Sequence, residues 1–314
     1  MSTLYIDRRD TELRLDGKSI SVRISGQRAN NIPLHLLERI IVISHTHLDS
    51  RLLGALASSG VTLVLCSPRD PSRWATLIGA AHNDAEIRLA QYRLHHDKTA
   101  RLALARRLVR AKIYQYRRFF IAALEQRPAV RRALTTAITA HDDALKKIPI
   151  AENASSLLGI EGSCARAAFK AYASLVPEVY AFEGRKRRPP PDPVNALLSL
   201  TYTLLFSRAH AALYRAGLDP ALGIFHETSF GRQSLAADLV ELWRAKADQW
   251  VWRLLAERTI REHHFKLDKG ACLLDKAGRK IYYAEFEDWV YPIERNLRRQ
   301  TRAFVRHIQR QEKL

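Results

Sequence analysis

The chain predicts an α+β protein: a small β-rich N-terminal domain over 1–85, then a larger, mainly α-helical domain over 86–314 with one inserted hairpin. Three observations carry that class. Short β-branched or alternating apolar runs fill the stretch up to Cys66, and from about Asp84 the apolar spacing changes to three and four residues. Two glycine-containing turns then interrupt the helical pattern near Gly270.

In chain order, Thr3-Leu-Tyr-Ile, Glu12-Leu-Arg-Leu, Ser19-Ile-Ser-Val-Arg-Ile and Arg39-Ile-Ile-Val-Ile read as strands. Asp16-Gly17 marks a hairpin between the second and third. Leu48 to Ser59 fits a short helix, and Val61 to Cys66 an apolar strand. Ala85 to Glu125 reads as one long helical segment, with further helices over roughly 129–146, 152–174, 193–216, 233–260 and 292–313. Between the last two, Phe265 to Tyr283 carries Asp-Lys-Gly and Lys-Ala-Gly turns, the expected hairpin. Pro189, Pro190, Pro191 and Pro193 forbid a helix in the loop that begins at Phe182. No repeat at solenoid spacing is visible.

Of 314 residues, 47% are hydrophobic and 26% charged, enough apolar material for a packed core and against wholesale disorder. Lys and Arg number 51 against 32 Asp and Glu, a formal charge of +19 that attracts polyanions. Nucleic acid is the partner this favours, because phosphate neutralisation dominates such binding; an anionic membrane surface is the alternative. Cys66, Cys164 and Cys272 are odd in number and far apart, which excludes a disulfide framework or zinc ribbon. They read as buried free thiols in a reducing cytoplasm. The N-terminus has no apolar signal core and no segment is long enough to span a bilayer, so the expectation is a soluble, intracellular protein.

Against that basic background, Glu161, His226 and Glu241 each lie in an apolar or helical stretch, where a charge is costly unless compensated. Glu161 reads as sitting at a glycine-flanked helix start. Asp238 and Glu241 stand three apart and share a helix face. Singly, each has a bland reading: a helix charge near a turn, or a hydrogen-bonded core histidine. Together, two carboxylates and an imidazole would hold a divalent ion such as Mg2+ or Mn2+ against a phosphodiester. Asp238 is a second ligand, an orienter of His226 or a plain helix-face charge. A rival, His45-Thr-His47-Leu-Asp49, resembles the His-x-His-x-Asp of metallo-β-lactamase hydrolases, but Ser50 stands where that family has another histidine and no alternating βαβ pattern surrounds it. Its plainer reading is a strand-to-helix turn in which Asp49 or Ser44 caps the helix. Two basic clusters could hold DNA backbones: Arg185, Lys186, Arg187 and Arg188 in the proline-rich loop, read as a flexible phosphate clamp, and Arg295, Arg299, Arg302, Arg306 and Arg310 as a stripe along the last helix. For both, a solvated surface is the competing reading.

Four blocks carry a family resemblance. Leu158-Gly-Ile-Glu-Gly-Ser-Cys-Ala-Arg166, the loop from Phe182 through Pro193-Val-Asn-Ala-Leu-Leu-Ser, Gly217-Leu-Asp-Pro-x-Leu-Gly-Ile-Phe-His-Glu227 and Gly231-Arg-Gln-Ser-Leu-Ala-Ala-Asp-Leu-Val-Glu241 resemble the CRISPR-associated adaptation integrase family, in order and spacing. Weaker similarity extends over nearly the whole chain. The resemblance implies a homodimer, with dimerisation by the N-terminal domain, a helical catalytic domain and a small ferredoxin-like CRISPR adaptation partner protein. It implies double-stranded DNA, both captured fragment and repeat array, as substrate, and a prokaryotic cytoplasm as location. A Glu, a His and a later acidic residue bind the divalent metal in that family; these fall on Glu161, His226 and Glu241, with Asp238 implicated in some members. The implied reaction joins a 3′-hydroxyl of captured DNA to a repeat phosphodiester, with metal-dependent nuclease activity beside it. Arg166 and Asn195 match motif positions without an assigned role, and His45 and His47 match no family metal site. A non-catalytic DNA-binding scaffold and a stand-alone nuclease on branched DNA are the alternatives.

Overall fold

A computed structural model describes residues 2–67, 74–80, 82–186 and 189–311. The chain divides into two compact units, Met1–Asn83 and Asp84–Leu314.

The first unit begins with β1 (Ser2–Ile6), β2 (Thr11–Asp16), β3 (Ser19–Ile24), β4 (Gln27–Pro33), β5 (Leu37–Val42) and β6 (Thr46–Leu48). These are followed by α1 (Ser50–Ser58), β7 (Thr62–Cys66) and β8 (Trp74–Leu77). Two four-stranded sheets result, ordered β4-β3-β2-β6 and β1-β5-β7-β8. Leu13, Ile20, Ile40 and Leu63 point into one core that Leu52 and Leu56 of α1 complete. The Asp16-Gly17 hairpin forms as expected, Asp16 pairing with Ser19.

Three strands were not legible. β4 is an edge strand whose residues 27–31 are all exposed, so backbone pairing to β3, not an apolar pattern, defines it. β6 has three residues and β8 four, pairing with β2 and β7 respectively. One expectation is overturned: β5 and β7 are parallel with α1 between them, so a βαβ crossover does surround His45 and His47. The capping reading of this stretch holds nonetheless. Asp49 Oδ1 accepts the Arg51 N–H at 3.0 Å to start α1, while His45 and His47 are exposed.

The second unit comprises α2 (Ala85–His96), α3 (Lys98–Gln126), α4 (Arg131–Lys147), α5 (Ala154–Leu175), α6 (Pro193–Arg215), α7 (Ser234–Glu241), α8 (Arg244–Ala256), β9 (Phe265–Asp268), β10 (Ala271–Leu274) and α9 (Lys276–Gln311). The single helix expected over 85–125 is broken at Asp97. Its carboxylate accepts the Thr99 and Ala100 N–H groups at 3.0 and 2.9 Å, capping α3 while the backbone leaves α2. Asp97→Ala should destabilise the protein by about 1 kcal/mol, read as a lowered urea midpoint with unchanged slope.

The helix expected over 233–260 is likewise two helices, parted at Leu242 and Trp243. The inserted hairpin turns through Lys269 and Gly270, both at positive φ, and pairs Cys272 with Leu267. The expected Lys-Ala-Gly turn is instead the first turn of α9, where Asp275 Oδ1 accepts the Gly278 N–H at 2.7 Å. α9 therefore begins at Lys276, well before the expected 292, and runs through Pro292. α6 is buried on most of its faces and is the central helix. Its Arg208, almost fully buried, ties α9 down through Glu287 and Glu294 at 2.5 Å each.

Candidate active site

Spacing on α3 puts Val109, Lys112, Ile113 and Tyr116 on one buried face, so an ammonium projects into an otherwise apolar stripe. It is compensated from two directions. Lys112 Nζ contacts Glu161 Oε1 and lies 2.5 Å from Glu241 Oε2. Glu161 is not at a helix start, as expected from its glycines, but two turns inside α5. Glu241 is the last residue of α7, where the break before α8 brings Arg244 Nη1 within 3.3 Å of its Oε1. Burial works to raise the Glu241 carboxyl, but Arg244 foremost, then Lys112 and His226, outweigh it and hold it down at about 2. The carboxylate is therefore ionised throughout the neutral range. Its buried Oε2 faces the Lys112 ammonium, so this oxygen already holds a cation.

His226 is presented by the loop between α6 and α7. Asp238 Oδ1 sits 2.6 Å from His226 Nδ1 and accepts the His226 backbone N–H at 3.1 Å; Oδ2 accepts the N–H groups of Ile224 and Phe225 at 2.6 and 3.0 Å. Both Asp238 oxygens are thus engaged by the loop, so this residue stands behind His226. A neutral imidazole that donates Nδ1–H to Asp238 would keep its lone pair on Nε2. The loop can approach so closely because residue 223 is glycine: a Cβ there would lie 2.2 Å from the His226 carbonyl oxygen and 2.7 Å from Ser234 Cβ. Apolar packing of Val109 and Ile113 with Leu157, Cys164 and Phe225 draws α3, α5 and this loop together.

Beneath the carboxylates lies a cavity of about 130 Å³ lined in part by Lys112, Tyr116, His141, Glu161 and Arg244. One of its lining residues, Tyr116, belongs to a hydrogen-bonded knot around Asp248, which is 1% exposed. Asp248 accepts Tyr116 Oη at 2.7 Å and Tyr202 Oη, and its backbone carbonyl accepts Tyr172 Oη at 3.0 Å. The Tyr202 ring in turn lies 4.7 Å beneath the Arg244 guanidinium. A chain of contacts therefore runs from Asp248 through Tyr202 and Arg244 to Glu241.

Lys112, Arg244, Tyr116, Tyr202 and Asp248 were not anticipated. For Lys112 a signal existed, a lone cation at helical spacing among Val109, Ile113 and Tyr116. For Arg244 too a signal existed, since it stands three residues after Glu241 in what reads as one helix over 233–260. Nothing in the sequence marks Asp248 as the partner of tyrosines so distant in the chain.

Among the described residues no three His, Cys, Asp or Glu side chains lie close enough together to hold a metal ion. The Lys112 ammonium stands between Glu161 and Glu241, where their charges converge. The donor set itself fits Mg2+ or Mn2+: two hard carboxylates and one imidazole nitrogen.

The basic clusters fare unequally. Arg185 is not a free clamp: its guanidinium donates to Asn195 Oδ1 at 2.8 Å and Ser199 Oγ at 3.0 Å. Asn195 also accepts the Lys186 N–H and donates to Gly184 and Asp192, so the motif asparagine ties down the loop. Lys186 is exposed and pairs with Glu183 at 2.9 Å. Arg187 and Arg188 lie outside the described residues. Arg295, Arg299, Arg302, Arg306 and Arg310 are all exposed along α9, and Arg166 is exposed on α5.

Burial pushes each of Cys66, Cys164 and Cys272 up to about 11, so the thiols stay protonated at neutral pH. Iodoacetamide is expected to label none of them rapidly at pH 7.5 until denaturant is added, as mass spectrometry would show.

A β-rich unit followed by a helical unit, with Glu161 and Glu241 converging on one ammonium in a strongly basic chain, suits a protein that handles a polyanion such as nucleic acid. The model of the family described as CRISPR associated protein Cas1 matches residues 4–288. A CRISPR-associated endonuclease Cas1 of Thermodesulfovibrio yellowstonii is 33% identical over 98% of this chain and 97% of its own. In fold, the chain is similar to a casposase bound to integration product (TM-score 0.84, 21% identity, 98% of this chain and 91% of that one). It is also similar to a chain of a Cas6-RT-Cas1–Cas2 complex (TM-score 0.86, 22% identity, 99% of this chain and 35% of that one). The chain belongs to the Cas1 family of CRISPR-associated endonucleases.

Proposed function

We propose that the chain joins captured double-stranded DNA to a CRISPR repeat array by divalent-cation-dependent transesterification, a 3′-hydroxyl attacking a repeat phosphodiester. The observation that carries this reading is the convergence of Glu161 and Glu241, from separate helices, on one cation, the Lys112 ammonium. Those carboxylates and His226 Nε2 would hold Mg2+ or Mn2+. When bound, the ion polarises the phosphodiester and stabilises the attacking and leaving oxygens. Arg244 keeps Glu241 ionised, Asp238 fixes the tautomer and direction of His226, and the Asp248 knot holds Arg244 in place.

Exposed arginines of α9 hold DNA backbones, and binding accordingly weakens steeply with salt. A homodimer joined through the N-terminal unit, with a small ferredoxin-like partner of the Cas2 kind, completes the assembly in a prokaryotic cytoplasm. Among the described residues no helix is long and apolar enough to cross a membrane.

The test supplies a repeat-containing duplex and a labelled duplex with a free 3′-hydroxyl, with Mg2+, Mn2+ or chelator, with and without the partner. A joined product that disappears in chelator supports the reading. Cutting without joining leaves a nuclease on branched DNA, and binding without turnover leaves a scaffold; either outcome overturns it.

A further inference from the structure

Arg185 stands in a loop whose composition suits a phosphate clamp, yet its guanidinium lies along one face of α6. Asn195, Ser199 and Tyr202, four and three residues apart, share that face. Arg185 meets all three. Nη1 donates to Asn195 Oδ1 at 2.8 Å, Nη2 donates to Ser199 Oγ at 3.0 Å, and the guanidinium carbon lies 5.6 Å from the centre of the Tyr202 ring. Asn195 is fully buried and donates in turn to Asp192 and Gly184, so the guanidinium rests on a firmly held anchor.

The Tyr202 ring is shared between two cations. The Arg244 guanidinium lies 4.7 Å from the same ring centre, and Arg244 Nη1 reaches Glu241 Oε1 at 3.3 Å. Tyr202 Oη donates to Asp248. That hydrogen bond holds one end of the phenol, and a guanidinium against the ring limits its rotation. We propose that Arg185 is a positioning residue of the active site: it sets the Tyr202 ring and, through it, places Arg244 against Glu241. A lysine cannot take over this role, because an ammonium has neither the fork that spans Asn195 and Ser199 nor a flat face for the ring. This deepens the integration reading, whose ion site includes Glu241, and rests on it.

The test compares wild type, Arg185→Lys and Arg185→Gln as full chains. Single-turnover joining is measured at saturating DNA, and affinity by fluorescence anisotropy in chelator over a range of salt. Both variants should slow saturated joining about tenfold, the low end for outer partners of a metal site. DNA affinity should stay within about twofold, with the salt slope unchanged. A phosphate clamp predicts the reverse: Arg185→Lys close to wild type, and Arg185→Gln with a slope flatter by about 0.9. That result overturns the proposal. In a Tyr202→Leu background, Arg185→Lys should cost less than about twofold more, since the ring it acts through is gone; a further tenfold loss overturns the proposal as well. Ser199→Ala serves where Tyr202→Leu does not fold. It releases one arm of the guanidinium and should slow joining about threefold, in keeping with one hydrogen bond, and an unchanged rate counts against the positioning role. The resonance of free Mn2+ keeps the two readings apart. If wild type joins DNA and Arg185→Lys matches its rate, only the positioning role falls. If wild type joins nothing, the integration reading falls; about tenfold weaker Mn2+ binding by Arg185→Lys then still upholds the positioning role, and equal binding overturns it.

Discussion

A Lys112→Met protein is expected to lose about 3–5 kcal/mol of unfolding free energy, the cost of breaking a buried ion pair by removing one partner, and to regain most of it on adding Mn2+. Methionine fills the space of the lysine stem but leaves Glu161 and Glu241 facing each other with no ammonium between them. One carboxyl must then protonate, or the helices must part, unless another cation enters. Because binding to the folded state alone stabilises it, the variant's melting temperature should rise with Mn2+ far more than wild type's, where the ion must first displace the ammonium. Thermal melts with and without Mn2+ decide it. Equal shifts in both proteins would mean that Glu161 and Glu241 do not share a cation site.

His226→Ala is expected to bring joining and cleavage to background while DNA affinity stays within about twofold, since the change leaves untouched the arginines proposed to hold backbones. Asp238→Asn should have a smaller, graded effect of about 10–100-fold, the range for partners that orient a metal-binding histidine. Asparagine can keep accepting loop N–H groups through its oxygen but holds the imidazole less firmly. Rates from single-turnover assays would rank the two. An Asp238→Asn defect as complete as that of His226→Ala would make the carboxylate more than an orienter.

The elements that were legible share one physical trait: their own apolar pattern faces a core. β1, β2, β3, β5 and β7 alternate or are fully apolar, and α3 to α6 repeat every three to four residues. Features set by backbone pairing or by one polar contact were not legible. The polar edge strand β4 is one; the carboxylate that ends α2 and begins α3 is another. The site divides in the same way. Glu161, His226 and Glu241 stood out because their charges lie in apolar company. Lys112 lies in the same apolar company, among Val109, Ile113 and Tyr116, but the many arginines of α3 masked it. In the proline-rich loop composition suggested a flexible clamp; Asn195 and Ser199 draw Arg185 inward, while Lys186 stays exposed.

The chain delivers the parts of its active site late and separately. Lys112 comes from α3, Glu161 from α5, His226 from a loop and Glu241 from α7, and no two of them share an element. No fragment or half-made chain ending before Glu241 holds both carboxylates, and none arranges them before the helices pack. A chain still on the ribosome, or a clipped remnant, that ends before Glu241 lacks the second carboxylate and the arginines of α9 alike, so it presents neither the paired acids nor the basic stripe.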